Sequence, residues 1–185
     1  MEHIFILRQD QYFFSLSCRG IKKTSVRYHL RSSIDKGILK MDVNGSCLCG
    51  SIEFRVSNVV NKIYQCHCPL CRKQGGSASN TGTVVPLNQL EWIKGKENIK
   101  SWIKPTGFRS DFCINCGSPV PNPLREFDYY WIPVGTLDDA KFEIVMSIYT
   151  QSKASWGVLA PNAEQHKTAP AFEEFIALSR SHNHV

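Results

Sequence analysis

Seven of the eight cysteines in this 185-residue chain fall into three tight groups, Cys47-x-Cys49, Cys66-x-Cys68-x-x-Cys71 and Cys113-x-x-Cys116. Cysteines one or two residues apart put their sulfurs on one knuckle of backbone, where they can share a metal ion. Disulfide frameworks instead spread cysteines out to staple distant loops. A bridge within Cys47–Cys49 or Cys66–Cys68 would close a ring too small for good geometry. The groups therefore read as thiolate ligands in a reducing compartment, and a cytoplasmic location is expected. One CxxC alone could be a redox pair, but that does not account for a CxC, a CxCxxC and a CxxC in one small chain. Zinc is favoured over iron–sulfur, whose clusters draw on other spacings.

Coordination number suggests how the seven divide. A structural zinc takes four protein ligands and is closed, whereas a zinc that does chemistry keeps one position open. Cys47 and Cys49, with Cys113 and Cys116, form two knuckles that each suit half of a tetrahedron. Cys66, Cys68 and Cys71 can cap three corners from one short stretch and leave the fourth empty. Gly50 and Gly117 follow their knuckles, where a tight turn needs a residue without Cβ. Bundled thiolates carry net negative charge, and Arg72, Lys73 and Arg109 stand near them in sequence, although an ordinary solvated face explains each equally well. The competing reading is that all seven cysteines are structural, with a non-cysteine ligand closing the second site. His67 is the nearest candidate, but a side chain between two ligating neighbours usually points away from their metal.

The rest of the sequence bounds the fold. Residues 1–40 hold eight Lys/Arg against three acids, whereas residues 41–185 hold fourteen against thirteen, so the net charge of +6 sits mostly in the first segment. A nucleic-acid-binding stripe is therefore not expected on the folded body. No apolar run is long enough to span a bilayer, and no membrane association is expected. Residues 1–40 read as a basic, poorly ordered extension, with Met41 a possible true start; organelle targeting is the less favoured reading. Cys18 lies there without a partner and is taken as a non-ligand. From residue 41 to 185 a single domain is expected, built of short strands: Ser51–Ser57, Lys62–Cys66, Thr81–Pro86, Ile99–Ile103, Phe108–Phe112, Tyr129–Val134 and Phe142–Tyr149. One helix is expected over Ala171–Ser179, with Phe172, Phe175 and Ile176 on one face. The fold class is thus mostly β, in small stacked antiparallel sheets around a zinc knuckle, with one short C-terminal helix.

The segments Gly45-Ser46-Cys47-Leu48-Cys49-Gly50, Cys66-His67-Cys68-Pro69-Leu70-Cys71-Arg72-Lys73 and Phe112-Cys113-Ile114-Asn115-Cys116-Gly117-Ser118 resemble the glutathione-dependent formaldehyde-activating enzyme family, which also includes centromere protein V. Gly135-Thr136-Leu137-Asp138-Asp139, Ser152-Lys153 and Trp156 resemble its second half. The resemblance implies a structural zinc on Cys47, Cys49, Cys113 and Cys116, and a second, exchangeable zinc on Cys66, Cys68 and Cys71, two per chain. It implies a carbon–sulfur lyase or synthase handling adducts of a small thiol such as glutathione with an aldehyde such as formaldehyde. CHCPLCRK is closer to the broad branch of the family than to the dedicated formaldehyde enzyme.

The enzymatic reading rests on the vacant corner of the three-cysteine group, which could activate a thiol or polarise a carbonyl. No base is evident, since Tyr64, Arg72 and His67 each have a plainer role as strand or surface residues. The alternative is a non-catalytic, zinc-stabilised binding or scaffold module. Pro119, Pro121 and Pro123 could form its docking rim, but a protected edge strand is the preferred explanation. Trp156, in a Gly-flanked loop, is the aromatic expected nearest a substrate; Trp92, Trp102 and Trp131 read as core or pocket wall. Oligomeric state and glutathione-contacting residues are not legible.

Overall fold

The computed structural model describes residues 32–35, 38–138 and 141–180; Cys18 and the expected N-terminal extension up to residue 31, and Asp139, lie outside the described residues. In chain order the elements are β1 (Ser32–Asp35), β2 (Ile38–Ser46), β3 (Glu53–Val60), β4 (Lys62–Cys66), α1 (Pro69–Gly75), β5 (Asn80–Pro86), β6 (Leu90–Lys94), β7 (Ile99–Ile103), β8 (Arg109–Cys113), β9 (Pro119–Val120), β10 (Asn122–Pro123), β11 (Tyr129–Pro133), β12 (Glu143–Ile148), β13 (Glu164–Gln165) and α2 (Phe172–Arg180). Met41 lies within β2, which pairs with β1 on its N-terminal side.

The strands form three small sheets, ordered β1-β2-β3-β6, β10-β11-β5-β4-β12-β13 and β7-β8-β9. The first and third are antiparallel throughout. The second is mixed, because β12 runs parallel to both β4 and β13. A parallel pair needs a long crossover, and the whole stretch between Cys66 and Glu143 supplies it. The expectation of antiparallel sheets holds except at the two parallel pairs, β12 with β4 and β12 with β13.

Strand alternation sets the packing. In β3, Phe54 and Val56 point inward while Arg55 is exposed, as the apolar–polar alternation predicts. They join Met41, Val43 and Val59 against Val85 and Ile132, which makes the core between the first and second sheets. A second cluster, Cys47, Ile52, Cys113 and Val120, ties the first sheet to the third. A third, around Cys66, Met146 and Ile148, is covered by Phe175 of α2. The Pro119-x-Pro121-x-Pro123 segment lies at the edges of two sheets, as β9 and β10, where a missing N–H interrupts no ladder.

Several elements escaped the sequence reading: β1, β2 and β13 lie outside the expected strands, and β1 with the start of β2 falls within residues 1–40, expected to be poorly ordered. Strand β6 sits in a stretch of mixed polarity and is recruited by pairing with β3. Helix α1 runs through the three-cysteine group, although Pro69 at its start and Gly76 in the left-handed region at its end are ordinary helix signals. α2 forms one residue later than expected and buries Phe175.

Phe54 is fully buried and packs edge-on against Trp92, with ring centroids 5.7 Å apart. Phe54→Ala is expected to lower stability by about 3–5 kcal/mol, read as a shift of the urea unfolding midpoint at unchanged slope.

Candidate functional site

The β2–β3 turn brings Cys47 and Cys49 to one point, and the β8–β9 turn brings Cys113 and Cys116 to the same point. Both turns close with a backbone bond onto a cysteine carbonyl, Gly50 N–H to Cys47 O at 2.9 Å and Gly117 N–H to Cys113 O at 2.8 Å. Gly50 and Gly117 adopt φ of 71° and 76°, the left-handed conformation that side chains disfavour. The four Sγ atoms lie within 4.8 Å of one another. Cys47–Cys49 and Cys49–Cys113 sulfur separations are 3.5 and 3.8 Å. A tetrahedron of thiolates about 2.3 Å from a zinc has edges of about 3.8 Å, so this donor set fits such an ion.

Hydrogen-bond donors surround these sulfurs. The Ile52 N–H points at Cys47 Sγ from 3.3 Å, and the Ser51 hydroxyl lies 3.0 Å from Cys49 Sγ, 3.3 Å from Cys113 Sγ and 3.7 Å from Cys47 Sγ. Burial pushes the Cys47 thiol up, but the Ile52 N–H and Ser51 hydroxyl bring it below its ordinary value. Cys116 is pulled down to about 6, chiefly by the Ser118 hydroxyl 3.4 Å away. Ser51 and Ser118 were not singled out in the sequence; their adjacency to the knuckles was the only signal.

The second group forms where β4 and β12 end side by side. Cys66 pairs with Ile148 across the parallel ladder, and the next residue, His67, donates its N–H to Ile148 O at 3.0 Å. The chain then turns straight into α1. Cys68 is the N-cap, its sulfur accepting the Cys71 N–H at 3.3 Å. Sγ of Cys66, Cys68 and Cys71 lie within 4.8 Å of one another, and among the described residues no fourth His, Cys, Asp or Glu joins them.

Their electrostatics favour a cation. Hydrogen bonds from Cys66 and then Cys71 pull Cys68 down to about 2, the contact with Cys68 pushes Cys66 up to about 12, and contacts with Cys66 and then Cys68 push Cys71 higher still. A thiolate at Cys68 would oppose ionisation of its two neighbours, and a positive ion among the sulfurs would relieve that repulsion.

Other residues expected near the sites fall out differently. His67 is fully buried and is not among the grouped donors; burial and then the Lys153 charge lower its pKa. Arg109 is engaged by Asp111, at 2.8 and 2.9 Å, so its charge is answered within β8. Lys73 is exposed, whereas Arg72 is half-buried. Tyr64 is buried, its phenol pushed well up by burial and then by the Cys71 charge, and the Trp131 indole bonds to it. Trp131 reaches it across Gly82, where any Cβ would collide with the indole nitrogen. Tyr149, unremarked in the sequence, sits at the end of β12 with φ 55°, and burial followed by the three sulfurs raises its pKa too. The loop after it is pinned by the Lys153 ammonium, which donates to Ala154 O and Gly157 O at 3.1 and 2.8 Å. Trp156 stands 69% exposed in that loop.

Residues 42–152 match the family model described as glutathione-dependent formaldehyde-activating enzyme. No curated protein matches the chain. Among solved structures, the crystal structure of a Rhodobacter sphaeroides protein from a structural genomics programme is 26% identical, covering 52% of this chain and 89% of its own, with a TM-score of 0.46.

Ser51→Ala removes a hydroxyl that faces three sulfurs. It is expected to weaken metal binding by about tenfold, followed in a cobalt(II) titration by thiolate charge-transfer absorbance with a competing chelator.

Proposed function

Because this chain belongs to the glutathione-dependent formaldehyde-activating enzyme family, we propose that it is a zinc-dependent carbon–sulfur lyase or synthase that makes and breaks adducts of a small thiol with an aldehyde. Glutathione is the proposed thiol and formaldehyde the reference aldehyde. The observation that carries this reading is the three-sulfur group at the paired ends of β4 and β12, which among the described residues lacks a fourth donor.

Cys47, Cys49, Cys113 and Cys116 would hold one zinc for structure, and Cys66, Cys68 and Cys71 a second, exchangeable one. The second ion would supply a Lewis-acid position beside which a thiol ionises near neutral pH. The chain's own contribution is positional. The capping bond from the Cys71 N–H fixes the Cys68 sulfur, and the β4–β12 ladder fixes Cys66. In the forward direction the thiol sulfur bonds to the carbonyl carbon, the carbonyl π pair moves to oxygen, and the thiol proton ends on that oxygen. Tyr149 keeps its phenolic proton at neutral pH, because burial and the neighbouring sulfurs raise its pKa. It is the side chain we assign to donate a hydrogen bond to the developing alkoxide. The described residues contain no helix long and apolar enough to cross a membrane, and a reducing cytoplasmic setting suits free thiolates.

Zinc-loaded protein mixed with formaldehyde and glutathione is expected to accelerate adduct exchange measured by two-dimensional NMR. Cys68→Ser should return the rate to that of buffer while zinc falls from about two to about one per chain. A wild-type rate equal to buffer, with two firmly held zincs, would overturn the reading in favour of a zinc-stabilised scaffold.

A further inference from the structure

Two adjoining cavities share the segment Leu124–Arg125, and they differ in chemistry. The first, about 430 Å³, is lined mainly by Val84, Leu124, Phe127, Ile148, Phe172 and Phe175. Its aromatic wall is rigid: Phe127 stacks on Phe172 with centroids 3.7 Å apart, and Tyr129 meets Phe172 edge-on at 5.2 Å. Tyr64 also lines it, and packs in the same cluster as Cys68 and Cys71. The second cavity, about 640 Å³, is lined by Ile103, Lys104, Pro105, Gly107, Arg109 and Arg125, with Pro123 and Leu124. Leu124 and Arg125 belong to both linings, so one short segment separates them.

Charge is distributed unevenly between the two. Arg109 is answered by Asp111, but Lys104 and Arg125 make no ion pair among the described residues. Arg125 lies over Gly107, where a Cβ would meet its guanidinium, so it leans into the second cavity. The first cavity carries one acid, Glu126. An apolar chamber therefore opens beside a chamber with two uncompensated cations. Small-molecule sites are concave, mostly apolar and oriented by a few polar groups, with volumes of about 300–1,000 Å³. A purely apolar ligand would leave the cations unused, and a purely ionic one would leave the aromatic wall exposed.

We propose that the paired cavities are a binding site for an amphipathic carboxylate, with an apolar body of about six to ten carbons between Phe172 and Ile148 and the carboxylate turned toward Lys104 and Arg125. The site is additional to the three-sulfur group and does not depend on the reaction assigned there. Much of its apolar wall, from Ala169 to Phe175, lies beyond the residues that match the family model.

Octanoate, octanol and acetate, titrated into the zinc-loaded full-length protein by isothermal titration calorimetry, decide the matter without reference to turnover. Octanoate is expected to bind best, octanol roughly fivefold more weakly, and acetate not measurably; added salt should narrow the gap between the first two. Arg125→Ala should bring octanoate down to the level of octanol. Ala169→Trp, an exposed substitution at the mouth of the apolar chamber, should abolish binding of both while leaving the circular dichroism spectrum unchanged. Equal affinity for octanoate and octanol, octanoate binding indifferent to both substitutions, or no heat from octanoate at all would each overturn the proposal. Loss of adduct exchange with octanoate binding intact would instead count only against the reaction proposed for the sulfurs.

Discussion

Packing several sulfurs into one small volume is the constraint on which the rest of this structure depends. Cys47 and Cys49 end a hairpin of the first sheet, and Cys113 and Cys116 end a strand of the third, yet their sulfurs converge within 4.8 Å. Those two sheets also meet there through Ile52 and Val120, and through two hydrogen bonds between the turns, Leu48 N–H to Ser118 Oγ and Asn115 Nδ2 to Ser51 Oγ. Thiolates at such separations repel, and in a partly buried site the repulsion is weakly screened. Ionised sulfurs at this junction would be answered by the Ile52 N–H and the Ser51 hydroxyl, and the sulfur spacing would suit a cation.

The second sulfur group depends on a different device. Running β12 parallel to β4 puts the C-terminal ends of both strands together, so that Cys66 and Tyr149 emerge side by side. Each strand then feeds a turn that is locally fixed: α1, capped by Cys68 at one end and Gly76 at the other, and the loop pinned by Lys153. An antiparallel arrangement would have sent one of these segments to the far end of the sheet. Tyr149 adopts left-handed backbone to make the turn, a conformation that is disfavoured for a large side chain and that recurs where function fixes geometry.

Much of this was legible in the residues, for a physical reason that also marks the limit. Alternation in Ser51–Ser57 reports burial on one face, and β3 buries Phe54 and Val56 as that alternation requires. Cysteine spacing reports which sulfurs share a knuckle, because two residues of backbone leave little freedom. Neither signal carries information about partners distant in the chain. The parallel pairing of β4 with β12, the recruitment of β6 by β3, and the approach of Trp131 to Tyr64 across Gly82 are all tertiary events. Arg109 illustrates the same gap: its closeness to Cys113 in sequence suggested a counter-charge for sulfur, but Asp111, two residues away on the same strand face, takes it first. Helix α1 is the one local feature that sequence could have yielded, had its proline and glycine been weighed as start and stop beside the cysteines.

The two sulfur groups differ in how much of their charge the protein itself answers, and this bears on why one would be fixed and the other exchangeable. Around the four sulfurs, N–H and hydroxyl donors come from outside the ligand set. Around the three, the largest effects that lower Cys68 come from the Cys66 and Cys71 thiols, with the Cys71 and Leu70 N–H groups behind them, so much of the stabilisation of one sulfur is a hindrance to ionising its neighbours. Such a group would rely on a cation more completely while offering it fewer ligands. The match to the family model ends at residue 152, while Lys153, the Trp156 loop and the α2 face that packs on this cluster all follow it. The sulfurs thus lie within the shared part of the chain, whereas much of what a substrate would meet on that flank belongs to the part beyond it, which is where selectivity among adducts is most freely set.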